Sequence, residues 1–162
     1  FDVSKDTLTV FELRSSSPAP KPCVIDNTAA AIRRFLKSLG RIDLAVCDVS
    51  FTSVLNVLPA VLELLDSDGA FLTLVKPQFE ADHDEVGEGG VVRSEKVRLA
   101  ALERVAFAFS EAGLGPLACC ESPIHGHKGN VEYLLLGQKG SPTARLDLAG
   151  VVRDGVVARM TP

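Results

Sequence analysis

The chain has 162 residues, 46% hydrophobic and 23% charged, a balance that fits one globular domain of ~100–200 residues and argues against intrinsic disorder. A formal net charge of -4 excludes a protein-wide positive field, so a nucleic-acid contact must come from a local basic patch or from another domain. With no Trp, one Tyr and eight Phe, a stacking platform for single-stranded bases is poorly supplied, and no apolar run reaches the ~18 residues of a membrane-spanning helix.

The chain opens at Phe1-Asp2-Val3 with no initiating Met and no basic-then-apolar leader, which reads as a cut inside a structural element. A Ser/Pro-rich connector over 15–22 leads to Cys23-Val24-Ile25-Asp26, a short β-branched run suited to a strand. Residues 29–39 are the first predicted helix, with Ile32, Phe35, Leu36 and Leu39 on one face, Asn27-Thr28 to cap its start and Gly40 past its end. Leu44-Ala45-Val46-Cys47-Asp48 is the next predicted strand, and 54–65 the next helix, with Pro59 as a candidate kink. Asp66-Ser67-Asp68-Gly69 predicts a turn into the strand Ala70-Phe71-Leu72-Thr73-Leu74-Val75.

An acidic, Gly-rich loop over 79–90 comes before the clearest helix, over 94–112. Ser94 is its N-cap, Val97, Ala101, Val105 and Phe109 form its stripe, and Gly113 stops it. Strands are predicted at 116–121 and 131–136, on either side of a Gly/Pro loop over 122–130. In the segment 140–162, set apart as a tail, Asp154-Gly155 between valine pairs is a hairpin signal. Strands alternating with helices predict an α/β fold with a mostly parallel sheet. Cys23, Cys47, Cys119 and Cys120 form no CxxC and read as buried, reduced thiols of a cytoplasmic protein.

Three polar residues stand at or near the predicted strand ends: Asp48, Lys76 and Glu132. Ligands of open α/β sheets bind outside the carboxyl ends of the strands, so Asp48 and Lys76 stand there side by side if their strands are neighbours. A Lys between two carboxylates has the tunable proton affinity that acid/base work needs; the same spacing also fits a plain ion pair at a sheet edge. His125-Gly126-His127 with His83 is a weaker constellation, since it lies in a Gly/Pro loop and lacks a further ligand at metal spacing. Gly87-Glu88-Gly89-Gly90 has no Lys-Ser/Thr after it, so it is not a phosphate loop; it reads as a substrate loop or as plain surface.

Four strings occur in order: Asp43-Leu44-Ala45-Val46-Cys47-Asp48-Val49-Ser50-Phe51-Thr52-Ser53, Leu74-Val75-Lys76-Pro77-Gln78-Phe79-Glu80, Val86-Gly87-Glu88-Gly89-Gly90-Val91-Val92 and Gly129-Asn130-Val131-Glu132-Tyr133. Together they closely resemble the hemolysin A (TlyA-type) family of FtsJ-like RNA 2'-O-methyltransferases. The resemblance extends over residues 1–139, with 2–8, 12–14 and 24–28 similar to that family's second and third strands and the helix between them. It implies a Rossmann-like methyltransferase fold, truncated at its N-terminus, that binds S-adenosylmethionine at the strand tips and methylates ribosomal RNA.

Residue by residue, the resemblance implies that Asp2 holds the cofactor ribose hydroxyls, that Asp26 lies near the adenine, and that Asp48 lies by the methionine part and the transferred methyl. Asp48, Lys76 and Glu132 match members of the family's catalytic Lys-Asp-Lys-Glu tetrad. The tetrad's first Lys, the first strand, the glycine-rich cofactor loop and a small basic RNA-binding domain are all implied upstream of Phe1. In this chemistry a ribose 2'-hydroxyl loses its proton as it attacks the methyl in line, with Lys76 either taking the proton or stabilising the developing alkoxide. The alternative is a non-catalytic binding or structural remnant of the fold. The opening Asp2-Val3-Ser4-Lys5-Asp6-Thr7-Leu8 is also similar to the first strand of RNase H-like transposases, whose further acidic motifs do not follow.

Overall fold

The computed structural model describes the backbone of residues 2–3, 7–11 and 22–26, positions 31, 34, 35 and 38, and residues 40–160 apart from 144. The chain divides into two units, Phe1–Gly40 and Arg41–Pro162. In the first unit, β1 (Asp2–Val3), β2 (Thr7–Phe11) and β3 (Pro22–Asp26) form an antiparallel sheet in that order, with Asp2 opposite Thr9 and Thr7 opposite Asp26. The single strand expected over 2–8 is therefore two antiparallel strands, with Val3 of β1 opposite Leu8 of β2. Its second half belongs to β2, a run of strand-forming Thr, Leu, Val and Phe that turns back on both neighbours. Ala31, Arg34, Phe35 and Ser38 are helical, as expected for 29–39; the helix expected at 12–14 and the connector up to residue 21 lie outside the described residues, while Pro22, expected in the connector, already belongs to β3.

The second unit is built on β4 (Ile42–Cys47), β5 (Leu65–Val75), β6 (Leu114–Glu121), β7 (Tyr133–Lys139) and β8 (Ala158–Arg159), in the order β4-β5-β7-β6-β8. The α/β class is as expected, but the sheet is mixed rather than mostly parallel. β4 and β5 pair in parallel, while β7 enters antiparallel between β5 and β6 and β8 pairs antiparallel with β6. The cause lies in the connections. Crossovers that carry helices, α1 (Leu58–Leu64) and α3 (Glu95–Glu111), keep β4, β5 and β6 in one direction, whereas β6 reaches β7 through a loop and must return antiparallel.

Local chemistry fixes the element ends. Pro59 falls in the first turn of α1, where no intrahelical N–H is needed, so it starts the helix instead of kinking it. Cations take carbonyls at the end of α1: Arg41 donates to Glu63 and to Leu65 just past the helix, and Lys139 Nζ donates to Leu62 at 3.0 Å. The expected turn at Asp66-Gly69 is instead an irregular stretch of β5, where the pairing with β4 jumps from Ile42–Leu65 to Leu44–Ala70. Ser94 Oγ accepts from Val97 N at the head of α3, and Gly113 at φ +77 follows its end.

The stripe of α3 buries Ala101, Val105 and Phe109 as expected, joined by Leu102 and Ala106. Phe109 stacks on Phe71 of β5 with ring centroids 5.3 Å apart. The segment after residue 139 enters the same core through Leu146, Leu148, Val151, Val152 and Ala158. There the Asp154-Gly155 pair ends a helix, α4 (Leu148–Asp154), instead of turning a hairpin. Asp147 caps its start by accepting from Gly150 N at 2.9 Å, the apolar residues 148, 151 and 152 fall on one helical face, and Gly155 supplies the left-handed exit at φ +64.

Two predictions come from this core. A Cβ placed at Gly137 of β7 falls 2.8 Å from the Phe109 ring, so Gly137→Ala should destabilise the protein by about 1–3 kcal/mol in denaturant unfolding. Burial pushes the Cys119 thiol up to about 12, with the neighbouring Cys120 adding to it. Cys119 should thus resist iodoacetamide in the native protein at pH 8 and react once denatured. Since its folded value lies above its unfolded one, its contribution to stability is complete below the ordinary thiol range and is lost as pH rises through that range towards 12.

Candidate functional site

The strand register brings three ends to one edge of the sheet. Cys47 of β4 lies opposite Thr73 of β5, and Val75 of β5 lies opposite Tyr133 of β7. Asp48, Lys76 and Glu132 each occupy the position just beyond a paired strand residue, so all three emerge at that edge. Asp48 and Lys76 stand side by side, with Nζ 2.6 Å from Oδ1. The Lys76 side chain is 12% exposed and that of Asp48 is 64% exposed, so the pair spans the boundary between core and solvent. Lys76 Nζ also donates to Ser50 Oγ at 3.0 Å.

Glu132 is buried at 6% exposure and accepts from Gln78 Nε2 at 2.9 Å through Oε1. A Cβ placed at Gly126 would collide with the same carboxylate, so a side chain there would have to displace Glu132. Gln78 lies two residues past Lys76, in the short helix α2 (Pro77–Glu80).

Glu80 ends the same turn, buried at 5% exposure. Its Oε1 accepts from Val54 N at 2.8 Å and its Oε2 accepts from Ser53 Oγ at 2.6 Å, which caps the 3₁₀ turn Val54–Asn56. Arg104 of α3 donates to the Glu80 carbonyl. Phe79 meets Phe51 at 5.3 Å between ring centroids; Phe51 is 92% exposed and has φ +61, a strained value for a bulky residue.

The Gly-rich loop is held by the segment that carries Glu132. Asn130 Oδ1 accepts from Val92 N at 3.0 Å, Asn130 Nδ2 donates to the Gly90 carbonyl at 2.9 Å, and Lys128 Nζ donates to the Gly89 carbonyl at 3.0 Å. Between this loop and α2 lies an open cleft of about 480 Å³, lined by Gln78, Ala81, His83, Val86, Glu88 and Gly90. His125 stands 3.7 Å from Glu121, and among the described residues no group of three His, Cys, Asp or Glu side chains is arranged to hold a metal. Burial pushes the Cys47 thiol up, and the charge of Asp48 beside it acts in the same direction.

Of the residues singled out in the sequence, the edge therefore gathers Asp48, Lys76 and Glu132. Asp2 and Asp26 lie on β1 and β3 of the first unit, and their side chains fall outside the described residues. Ser50, Gln78 and Glu80 carry hydrogen bonds at the site without having been singled out. They stood inside the quoted strings, but spacing marks charges at strand ends and is silent about the polar partners one turn further on.

The model of the FtsJ-like methyltransferase family matches residues 10–139, and the chain belongs to that family. It is 43% identical over 96 residues to the 16S/23S rRNA (cytidine-2'-O)-methyltransferase TlyA of Mycobacterium tuberculosis, covering 59% of this chain and 36% of that protein. It is 37% identical over 89 residues to hemolysin A of Brachyspira hyodysenteriae, covering 55% and 37% of the two chains. A solved structure from Streptococcus thermophilus, proposed to be a hemolysin, superposes with a TM-score of 0.68 at 34% identity, over 73% of this chain and 44% of its own. The chain thus spans well under half the length of the curated relatives it matches.

The Glu80 network makes its own prediction. Glu80→Ala leaves the Val54 N–H buried without its acceptor and frees Ser53, and it should cost about 1–3 kcal/mol in denaturant unfolding. Glu80→Gln, which retains one acceptor, should cost less.

Proposed function

We propose that this chain is the catalytic part of an S-adenosylmethionine-dependent 2'-O-methyltransferase that acts on ribosomal RNA in the cytoplasm. The observation that carries the reading is the gathering of Asp48, Lys76 and Glu132 at one sheet edge, inside a chain of the FtsJ-like family. The relative from Mycobacterium tuberculosis bears the name of an rRNA cytidine-2'-O-methyltransferase, which supports the substrate class. Among the described residues, no helix is long and apolar enough to cross a membrane.

In this reading S-adenosylmethionine, when bound, supplies an electrophilic methyl on a sulfonium. Asp48 suits the methionine end: it is an exposed carboxylate at a strand tip, and one of its oxygens already receives a cation. For Asp2 and Asp26 the proposed contacts with the ribose and adenine rest on sequence resemblance alone. Lys76 works on the 2'-oxygen. As an ammonium it has three donors, of which two are directed at Asp48 and Ser50; the third meets the oxygen as negative charge develops on it, while the hydroxyl proton leaves to solvent water at this exposed edge. Glu132 orients the attacking ribose from the β7 side. The acidic balance of the chain assigns most of the RNA affinity to a basic region elsewhere in the protein.

Titration of the chain with S-adenosylmethionine in a calorimeter should release heat; absence of binding would favour a remnant that keeps the fold without the cofactor. In a methyl-transfer assay on ribosomal RNA, Lys76→Ala should lower turnover by roughly 100–10,000-fold with the fold intact by circular dichroism, and full turnover would remove Lys76 from its assigned role.

A further inference from the structure

We infer that Gln78 is a positioning residue that holds the Glu132 carboxylate in its working orientation. The inference rests on the reading of Glu132 as a catalytic group. Three observations support it. Gln78 Nε2 donates to Glu132 Oε1 at 2.9 Å, and glycine at 126 leaves room for that same oxygen where a Cβ would collide with it. Gln78 also follows Lys76 by two residues with Pro77 between, so Lys76 and the donor that holds Glu132 share one stiff segment.

The third observation is the other end of the amide. Gln78 Oε1 is buried and, among the described residues, has no hydrogen-bond partner. A buried acceptor without a protein partner is a cost, so the amide is not placed there for its own hydrogen bonding. The amide orientation follows from its nitrogen: with Nε2 given to the Glu132 carboxylate, the amide oxygen is left without a protein partner among the described residues.

The test compares Gln78→Met, Gln78→Glu, Glu132→Gln and the double variant Gln78→Met/Glu132→Gln in the methyl-transfer assay. Gln78→Met should lower kcat about 10–100-fold and leave the KM for cofactor and for RNA within about twofold, since a small misplacement of a catalytic group costs that much in rate. The double variant should be no slower than Glu132→Gln alone. Gln78→Glu gives the sharpest reading. Its carboxyl can donate to Glu132 only when protonated, so its kcat relative to the wild type should be highest at low pH and fall as pH rises. The introduced carboxyl shares its proton with Glu132 across the hydrogen bond, so the fall with pH belongs to that pair, while His83 and Glu88, which line the same cleft, are common to variant and wild type.

Full turnover in Gln78→Met beside an impaired Glu132→Gln, or effects that multiply in the double variant, would overturn the inference. Full turnover in Glu132→Gln would defeat the catalytic reading instead. If the chain itself transfers no methyl group, the Glu132 carboxyl carbon resonance decides: it should shift in Gln78→Met, and an unchanged resonance overturns the inference.

Discussion

The site depends on one turn of backbone. Between Lys76 and Glu80 the chain leaves β5, and four of its side chains take hold of separate parts of the molecule: Lys76 of Asp48 and Ser50, Gln78 of Glu132, Phe79 of Phe51, and Glu80 of Ser53 and Val54. Arg104 of α3 fixes the same turn from behind through the Glu80 carbonyl. Pro77 and the short helix leave this segment little conformational freedom. The positions of the Asp48 loop and of Glu132 are therefore referred to one rigid piece of chain, not to each other across solvent.

The mixed sheet explains why a carboxylate from late in the sequence reaches that turn. A parallel strand beside β5 would bring its carboxyl end to the edge. β7 runs the other way, so its first residues arrive there, and Glu132 enters just ahead of the Val75–Tyr133 pair. Tyr133 itself is fully buried and receives Arg98 Nε at 3.1 Å; burial pushes its phenol up although Arg98 acts against the shift. The Glu132 edge is thus anchored by the core directly behind it.

What could be read in the sequence follows from how local the determining physics is. The strands near Leu44, Phe71 and Leu134 and the helix beginning after Ser94 are encoded by short-range pattern and capping, and they stand as expected. Asp48 and Lys76 were legible because a charge at the end of a β-branched run has few other places to go. The direction of β7 was not legible, because it depends on a connection without a helix and no single residue marks it. Asp154-Gly155 carries the same two letters for a hairpin and for a helix exit; the choice was made by Asp147 and by the burial of Leu148, Val151 and Val152, which is tertiary information. Gln78 and Glu80 stayed silent because their meaning lies in partners 54 and 26 to 27 positions away.

The place of β7 between β5 and β6 also constrains the order in which the molecule can assemble. The strand is made last of the three and belongs in the middle, so β5 and β6 have no partner in common until residues 133–139 exist and have been inserted. Pairings between segments so far apart in the chain form slowly, because loop-closure entropy is spent before the contacts form. Glu132 is carried in by the same strand, and Gln78 waits for it at the edge. Closing the sheet and completing the polar edge are one event, so an intermediate without β7 has neither a finished core nor the full set of groups at Asp48 and Lys76.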